Sequence, residues 1–558
     1  MARRTRRSTL LLSLLVLTGA SVGASQAEAQ GFEYAAPGTR SLGRGGAFMA
    51  RADDPMALGY NPAALAFLPG YQLSLGSHVA FYDACVERSG TYDDSDVSGN
   101  AALDSRYGFP ESGTADNWVN QPFPRVCRET IPGPSPQLVF SGHPLPELGF
   151  AVGLLAPAAV GSGAWGDGQG SVDVDGTLLP SPTRYQLVSQ NLLLFHPSIG
   201  VGFSPFKELA IGVTLQWGMA LVDYAVHTSS GFGPEDPAED VRTELSVQDW
   251  FVPAIIASVH IVPIDELDIV VMARISDSIN AEGDLRLTTG VNGTGMPGSL
   301  DPAETLIQGT QLSAGQPWQF GLSARYAERI HRRYRDPEEA SRVNGRVEDR
   351  MQNEVWDLEL DVVYSLNRQV TDFVVTQPAG ASAQVCEANA SPEACDGTSF
   401  DATLPSQLSL PHGWQDQLSV RVGADWNVVP GAIALRLGSH FVTNGLNDSF
   451  AIADFLPGMR LGLHLGATFR FDRFDVSIAY AHIFQFDHTV RASDANYRLI
   501  AATGSEGQCT GPDGAAYDRD QPTSNRGCYP QGAGAVANAG TYQAEFNVIS
   551  LSGRYHFD

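Results

Sequence analysis

What most constrains this chain is the way its strand-like runs are joined. From Tyr71 to the C-terminus about fourteen such runs follow one another. Their connections alternate between short turns and long loops. The short ones include His143–Glu147, Pro205–Glu208, Pro263–Glu266, Pro430–Gly431 and Asp472–Arg473. The long ones, such as 83–135, 227–240, 289–315, 376–413, 444–458 and 492–540, are rich in loop residues and often acidic. Short turns at one end and long loops at the other, around an even number of antiparallel strands, is how a transmembrane β-barrel is connected.

The residue pattern within the runs agrees. Leu418, Val420, Val422, Ala424 and Trp426 alternate with Ser419, Arg421, Gly423 and Asp425. Leu461, Leu463, Leu465, Ala467, Phe469 and Phe471 alternate with Gly462, His464, Gly466, Thr468 and Arg470. A period of two sends one set to lipid and the other to the lumen. A half-buried soluble sheet would alternate too, so the loop pattern decides between them. Past the first thirty residues no run of 18 apolar residues occurs, which argues against transmembrane helices. The expected fold is all-β: a transmembrane antiparallel barrel of about fourteen strands. Leu267–Thr288 and Glu354–Val375 are each read as one strand. The charged stretch 331–350 reads either as an unusually long turn or as a projecting hairpin.

Residues 1–29 read as a secretory leader. Arg3, Arg4, Arg6 and Arg7 precede an apolar run from Leu10 to Leu17, and Ala27-Glu28-Ala29 supplies a small-residue cleavage site. Residues 30–70 read as an N-terminal plug and 71–558 as the barrel. Within the plug, Asp54-Pro55 and Asn61-Pro62 each place a capping side chain before a proline suited to a first helical turn. Two short helical turns are expected, at 55–59 and 62–67. Ahead of them Gly43, Gly45 and Gly46 permit close packing and backbone angles closed to larger residues.

Gly31-Phe32-Glu33, Leu42-Gly43-Arg44-Gly45-Gly46-Ala47, Ala52-Asp53-Asp54 and Tyr60-Asn61-Pro62-Ala63-Ala64-Leu65, in this order and spacing, resemble the start of the FadL/TodX family of outer-membrane channels. Members carry long-chain fatty acids or aromatic hydrocarbons. The resemblance implies a fourteen-stranded barrel with an N-terminal hatch, in a Gram-negative-type outer membrane. It implies gating by hatch movement, with Gly43, Gly45, Gly46, Asn61, Pro62 and Ala63 as the residues concerned, and sideways release through a gap at the third strand. Gly149, Gly153 and Pro157 are candidate makers of that gap. Glycines in a barrel strand also serve simply to relieve crowding.

By alternation Arg421, Arg436, His464 and Arg470 point inward. Arg421, Arg436 and Arg470 are candidates to hold a ligand carboxylate through paired hydrogen bonds, or to pair with acids of the lumen or plug. The six cysteines fall two to a long loop, and pairing within each loop is geometrically easiest: Cys85–Cys127, Cys386–Cys395 and Cys509–Cys528.

Lys and Arg number 35 against 62 Asp and Glu, a net charge of −27, which argues against a nucleic-acid partner. Neither a His-Glu-x-x-His helix nor a Walker-type phosphate loop is present. Ser171–Gly176 starts like a calcium loop, but Pro182 stands where its closing Glu belongs. No cofactor, metal or catalytic residue is expected. The expected partners are hydrophobic small molecules, outer-membrane lipid and the barrel-assembly machinery, which reads a terminal aromatic; here Phe557 is penultimate, followed by Asp558. The expected state is a monomer with its N-terminus in the periplasm. Three rivals remain: a non-selective porin, an outer-membrane enzyme acting on lipids, and a structural or adhesive barrel.

Overall fold

The structure is a computed structural model describing residues 37–92, 121–131, 134–156, 161–229, 240–289, 300, 304–330, 349–370, 373–386, 399–495 and 536–557. The expected leader, Gly31–Glu33, Pro157, Cys395, Cys509, Cys528 and residues 331–348 of the charged stretch lie outside these.

Fourteen strands form one closed antiparallel ring. They are β1 Tyr71–Arg88, β2 Pro134–Leu145, β3 Leu148–Leu155, β4 Ser189–Phe206, β5 Leu209–Ser229, β6 Asp240–Ile264 and β7 Leu267–Ser276. The ring continues with β8 Trp318–Arg329, β9 Glu354–Leu366, β10 Gln417–Val429, β11 Ile433–Val442, β12 Arg460–Phe471, β13 Phe474–Gln485 and β14 Gly540–Phe557. Each pairs with its neighbours in sequence, and β1 closes on β14 from Tyr71↔Phe557 to Arg88↔Gly540. Closure leaves no unpaired edge, which a lipid environment demands.

Two predicted strands are too long. The run 267–288 divides at Ser276 into β7 and a second strand, Ile279–Thr289, that pairs with the upper part of β6. The run 354–375 divides into β9, a 3₁₀ turn at Asn367–Gln369 and a strand at Phe373–Thr376. Period-two patterning continues through both joints, so it could not reveal where the barrel ends and a loop sheet begins. At the same end Arg125–Ile131 pairs with the last residues of β1, and Gly161–Trp165 links that segment to β4. The long-loop end therefore continues upward as a partial sheet wall.

Leu437, Leu465 and Leu551 are 62%, 57% and 58% exposed on the outside of the barrel. Phe206, Trp426, Phe471 and Phe557 ring the short-turn end, and Trp217, Trp250 and Phe251 lie toward the long-loop end. An apolar outer face with aromatic belts is the lipid-facing surface of a membrane barrel. Among the described residues no helix is long and apolar enough to cross a membrane.

The plug lies inside the short-turn end. Its 3₁₀ turns span Pro55–Gly59 and Pro62–Phe67, within the bounds that the Asp-Pro and Asn-Pro signals gave, and a helical turn at Thr39–Leu42 adds to them. Phe48, Met56, Leu58 and Leu65 are buried against Val139, Ile256, Val270 and Met272 of the wall. This is a core in the usual sense, except that half of it belongs to a barrel.

Candidate functional site: a pinned plug beneath a basic chamber

The plug sits so close to the wall that side chains are excluded from the contact. A Cβ at Gly438 would stand 2.0 Å from the carbonyl carbon of Arg44, and one at Gly149 would stand 1.9 Å from the Leu65 oxygen. On the plug side Gly45 and Gly46 have φ of +69° and +79°, and a Cβ at Gly45 would stand 2.7 Å from Ser439 N. Gly43 meets Gly466 in the same way at 3.0 Å. The glycine run thus bends the chain so that Arg44 enters the wall.

Arg44 is fully buried and meets three carboxylates. Its guanidinium donates to Asp357 at 2.8 Å, to Glu359 at 2.9 Å and to Asp425, while Nε bonds the Ala47 carbonyl at 2.9 Å. Asp357, Glu359 and Asp361 alternate along β9 with Trp356, Leu358 and Leu360, which face lipid. Glu359 also accepts from the backbone N–H of Ala50 at 2.6 Å, and Asp361 from Phe48 and Met49 at 3.0 and 3.2 Å. Arg51 joins Glu354 and Asp357. From the short-turn side Arg350 donates to the carbonyls of Ala50 and Arg51 at 3.0 and 2.6 Å. Within the plug, burial would raise the Asp53 carboxyl, but Arg40 and Arg51 outweigh it and hold it well below the usual range.

Asp54 caps its turn as expected, its carboxylate accepting from Met56 N at 2.9 Å. Asn61 does not cap. Its amide instead donates to Met49 O at 2.8 Å and meets His260 Nδ1 at 3.1 Å, while its oxygen accepts from Ser258 at 2.8 Å. Ser258 in turn accepts from Ala63 N at 2.9 Å. The tertiary partners win because the Pro62 turn buries Asn61 against β6. From His260 a buried chain continues to Asp268 at 2.9 Å, to Arg325 at 2.8 Å and to Asp357, which holds Arg44. The Gly-rich run and the Asn-Pro-Ala turn are thus connected through the wall by residues the sequence reading did not single out. The signal available was the Asp-x-Glu-x-Asp spacing on β9: acids on the inward face of a strand need cations.

Above the plug lies a cavity of about 170 Å³. It is lined by Gly45, Gly46, Met49 and Tyr60 below, and by Arg274, Arg421, Arg460, His196, His440 and His464 around it. Among the described residues lining it there is no Asp or Glu, in a chain with nearly twice as many acids as bases. His440 Nδ1 and His464 Nε2 stand 2.8 Å apart. Of the three arginine candidates only Arg421 faces this space, bonding Ser419 Oγ at 3.0 Å and Gly46 O at 3.5 Å. Arg436 pairs with Asp425 at 2.9 Å and bonds Thr468, and Arg470 is engaged by Asp475 and Asp349.

At the long-loop end is a second pocket of about 100 Å³, lined mainly by apolar side chains including Leu192, Val222, Leu245, Leu312, Phe373 and Phe455. Gly153 of β3 is paired on both sides, with Val139 and Ser198, whereas Gly149 pairs with Gly202 and falls at a register shift on the β2 side. Regular β3 ends at Leu155, two residues before Pro157. Cys85 and Cys127 form a disulfide between β1 and the strand Arg125–Ile131 paired with it. Of Cys386 only the backbone is described, at the end of the strand Ser382–Cys386.

No family model matches the sequence, and no curated protein does. Solved structures do match. A FadL homologue of Pseudomonas aeruginosa superposes with a TM-score of 0.63 at 14% identity, over 95% of this chain and 100% of that one. The P. putida toluene transporter TodX gives 0.55 at 13%, over 95% and 99%. The monoaromatic hydrocarbon channel CymD gives 0.50 at 11%, over 94% and 98%. Built as a fourteen-stranded barrel around an arginine-pinned plug, this chain has the FadL/TodX-like fold.

Proposed function

We propose that the protein is an outer-membrane channel for hydrophobic compounds and that its preferred substrates are anionic amphiphiles of the long-chain fatty acid type. The observation that carries this reading is an apolar pocket at the mouth of a barrel whose other end is filled by a plug. Leaving an apolar site for water costs about 25 cal/mol per Å², so an apolar solute gains nothing from a water-filled pore. It gains from a series of apolar contacts, and the neighbours described as toluene or monoaromatic hydrocarbon channels have the same barrel.

The choice of an anion rests on the chamber. Three arginines and three histidines without a lining acid favour a carboxylate head group beside Arg421. The apolar tail would lie along Met49, Tyr60, Ile256 and Met272.

In this reading the plug faces the periplasm and gating is local. The Asn61-Pro62-Ala63 turn shifts while Arg44 stays in its cage, because whole-plug displacement would take both Arg44 and Arg51 from the buried acids. Release is sideways beside β3, where regular pairing stops at Leu155. The protein works as a monomer.

Uptake of a labelled long-chain fatty acid and of toluene, in cells with and without the protein, tests this. Arg421→Met should cut fatty-acid uptake several-fold and leave toluene uptake unchanged. Equal effects on both, or none on either, would defeat the assignment of the anion.

A further inference from the structure

The loop between β11 and β12, residues 444–458, does not behave as a surface loop. Leu446, Ala451, Ile452, Asp454, Phe455 and Leu456 are each at most 4% exposed. Loops ordinarily run over the surface, because buried backbone needs partners. Here the partners come from around the barrel mouth. Tyr542 of β14 donates to Ala451 O at 3.1 Å, and Gln485 of β13 donates to the oxygens of Leu456 and Pro457 at 3.0 and 2.8 Å. Gln190 of β4, seven strands from β11 in a ring of fourteen, reaches Asp454 O at 3.5 Å. The segment therefore spans the opening from one side to the other.

Asp454 also holds a second loop. His412 Nε2 lies 2.7 Å from its carboxylate, and His412 Nδ1 lies 2.9 Å from Leu410 O. His412 thus bridges Asp454 to the Leu410 backbone. The His412–Asp454 contact is buried on both sides. His412 stacks on Trp414 at 4.9 Å, and Phe455 packs edge-on against Phe373 and Trp414 at 5.9 and 5.5 Å. Phe373 and Phe455 are also walls of the apolar pocket. The stems of the loop, Val442 and Arg460, line the basic chamber. The segment lies between the two.

We propose that residues 444–458 form a second gate, at the opposite end of the chamber from the plug, latched by Asp454 on His412. An apolar molecule seated against Phe455 opens it by competing for the packing that holds the aromatic cluster together. The chamber is then bounded by two gates, and Asp454, His412 and Phe455 are residues of the transport path. The inference rests on the channel reading above.

The test places a cysteine at Ile452 and follows its maleimide labelling in the detergent-solubilised full chain, above the background of the parent protein. A long-chain fatty acid should raise the labelling rate, and Asp454→Ala should raise it roughly tenfold or more without ligand. Heat-modified gel mobility checks that the barrel has assembled. In parallel, a Gln190→Cys/Ala453→Cys pair joined by a short bismaleimide should stop fatty-acid uptake, while the unjoined pair transports. Transport by the joined pair at the unjoined rate, or labelling indifferent to both ligand and Asp454→Ala, overturns the gate while leaving a transporting channel intact. Absence of uptake by the parent protein overturns the channel reading instead.

Discussion

Replacing Arg44 by Met tests whether the plug is held by charge or by shape. Arg44→Met keeps length and apolar stem but removes the cation paired with Glu359 and one of several around Asp357 and Asp425, each acid at most 1% exposed. Removing one member of a buried ion pair costs about 3–5 kcal/mol, because it leaves a charge in low dielectric without its partner. The barrel ladder contains no bond from Arg44, so the cost falls on docking the plug. At about 1.4 kcal/mol per tenfold, the undocked fraction should grow on the order of a hundred- to a few-thousand-fold. A cysteine at Ala50, fully buried in the docked plug, reports that fraction through its maleimide labelling rate. Arg44→Lys keeps one charge without the planar fork and should fall between parent and Met. An intact barrel whose labelling rises less than about fivefold would refute the reasoning, and the glycine seat alone would then hold the plug.

Three further expectations follow from the same contacts. Gly438→Ala puts a methyl group against the Arg44 backbone and should raise Ala50→Cys labelling without preventing assembly, as read by gel mobility. Deleting Asn61-Pro62-Ala63 should abolish uptake and leave an assembled barrel, and normal uptake by that variant would remove the gating role. The Asp53 carboxyl lies lower in the folded plug than in the free chain, so its contribution is complete above the ordinary carboxylate value of about 3.9. It is lost as pH falls through the lowered value. Plug labelling, corrected for maleimide reactivity, should therefore stay flat from neutral to mildly acidic pH and rise only in strong acid.

The barrel was legible in the sequence because lipid imposes a strict alternation on strands such as β12, while the turns at Asp472-Arg473 and Pro430-Gly431 mark the strand ends. The two 3₁₀ turns were legible because proline fixes the backbone at a first turn wherever the chain goes next. The seat was not. Arg44 finds its acids more than three hundred residues later, on strands whose inward faces read only as polar. Asn61 looked like a cap because capping is a local property; its real partners, Ser258 and His260, are two hundred residues away. Nor could the loop at 444–458 be told from other long loops, since Ala451-Ile452-Ala453 is too short to read as a core segment. Arg421 and Arg436 were equivalent by alternation, and only the position of Asp425 beside Arg436 separates them.

The most direct test of the account is the uptake of a labelled long-chain fatty acid by cells that lack their own route, with and without this protein in the outer membrane. The account predicts uptake that requires the protein, saturates with fatty acid and is lost on deleting Asn61-Pro62-Ala63. Equal uptake with and without the protein would contradict it, as would permeation of small hydrophilic solutes in its place.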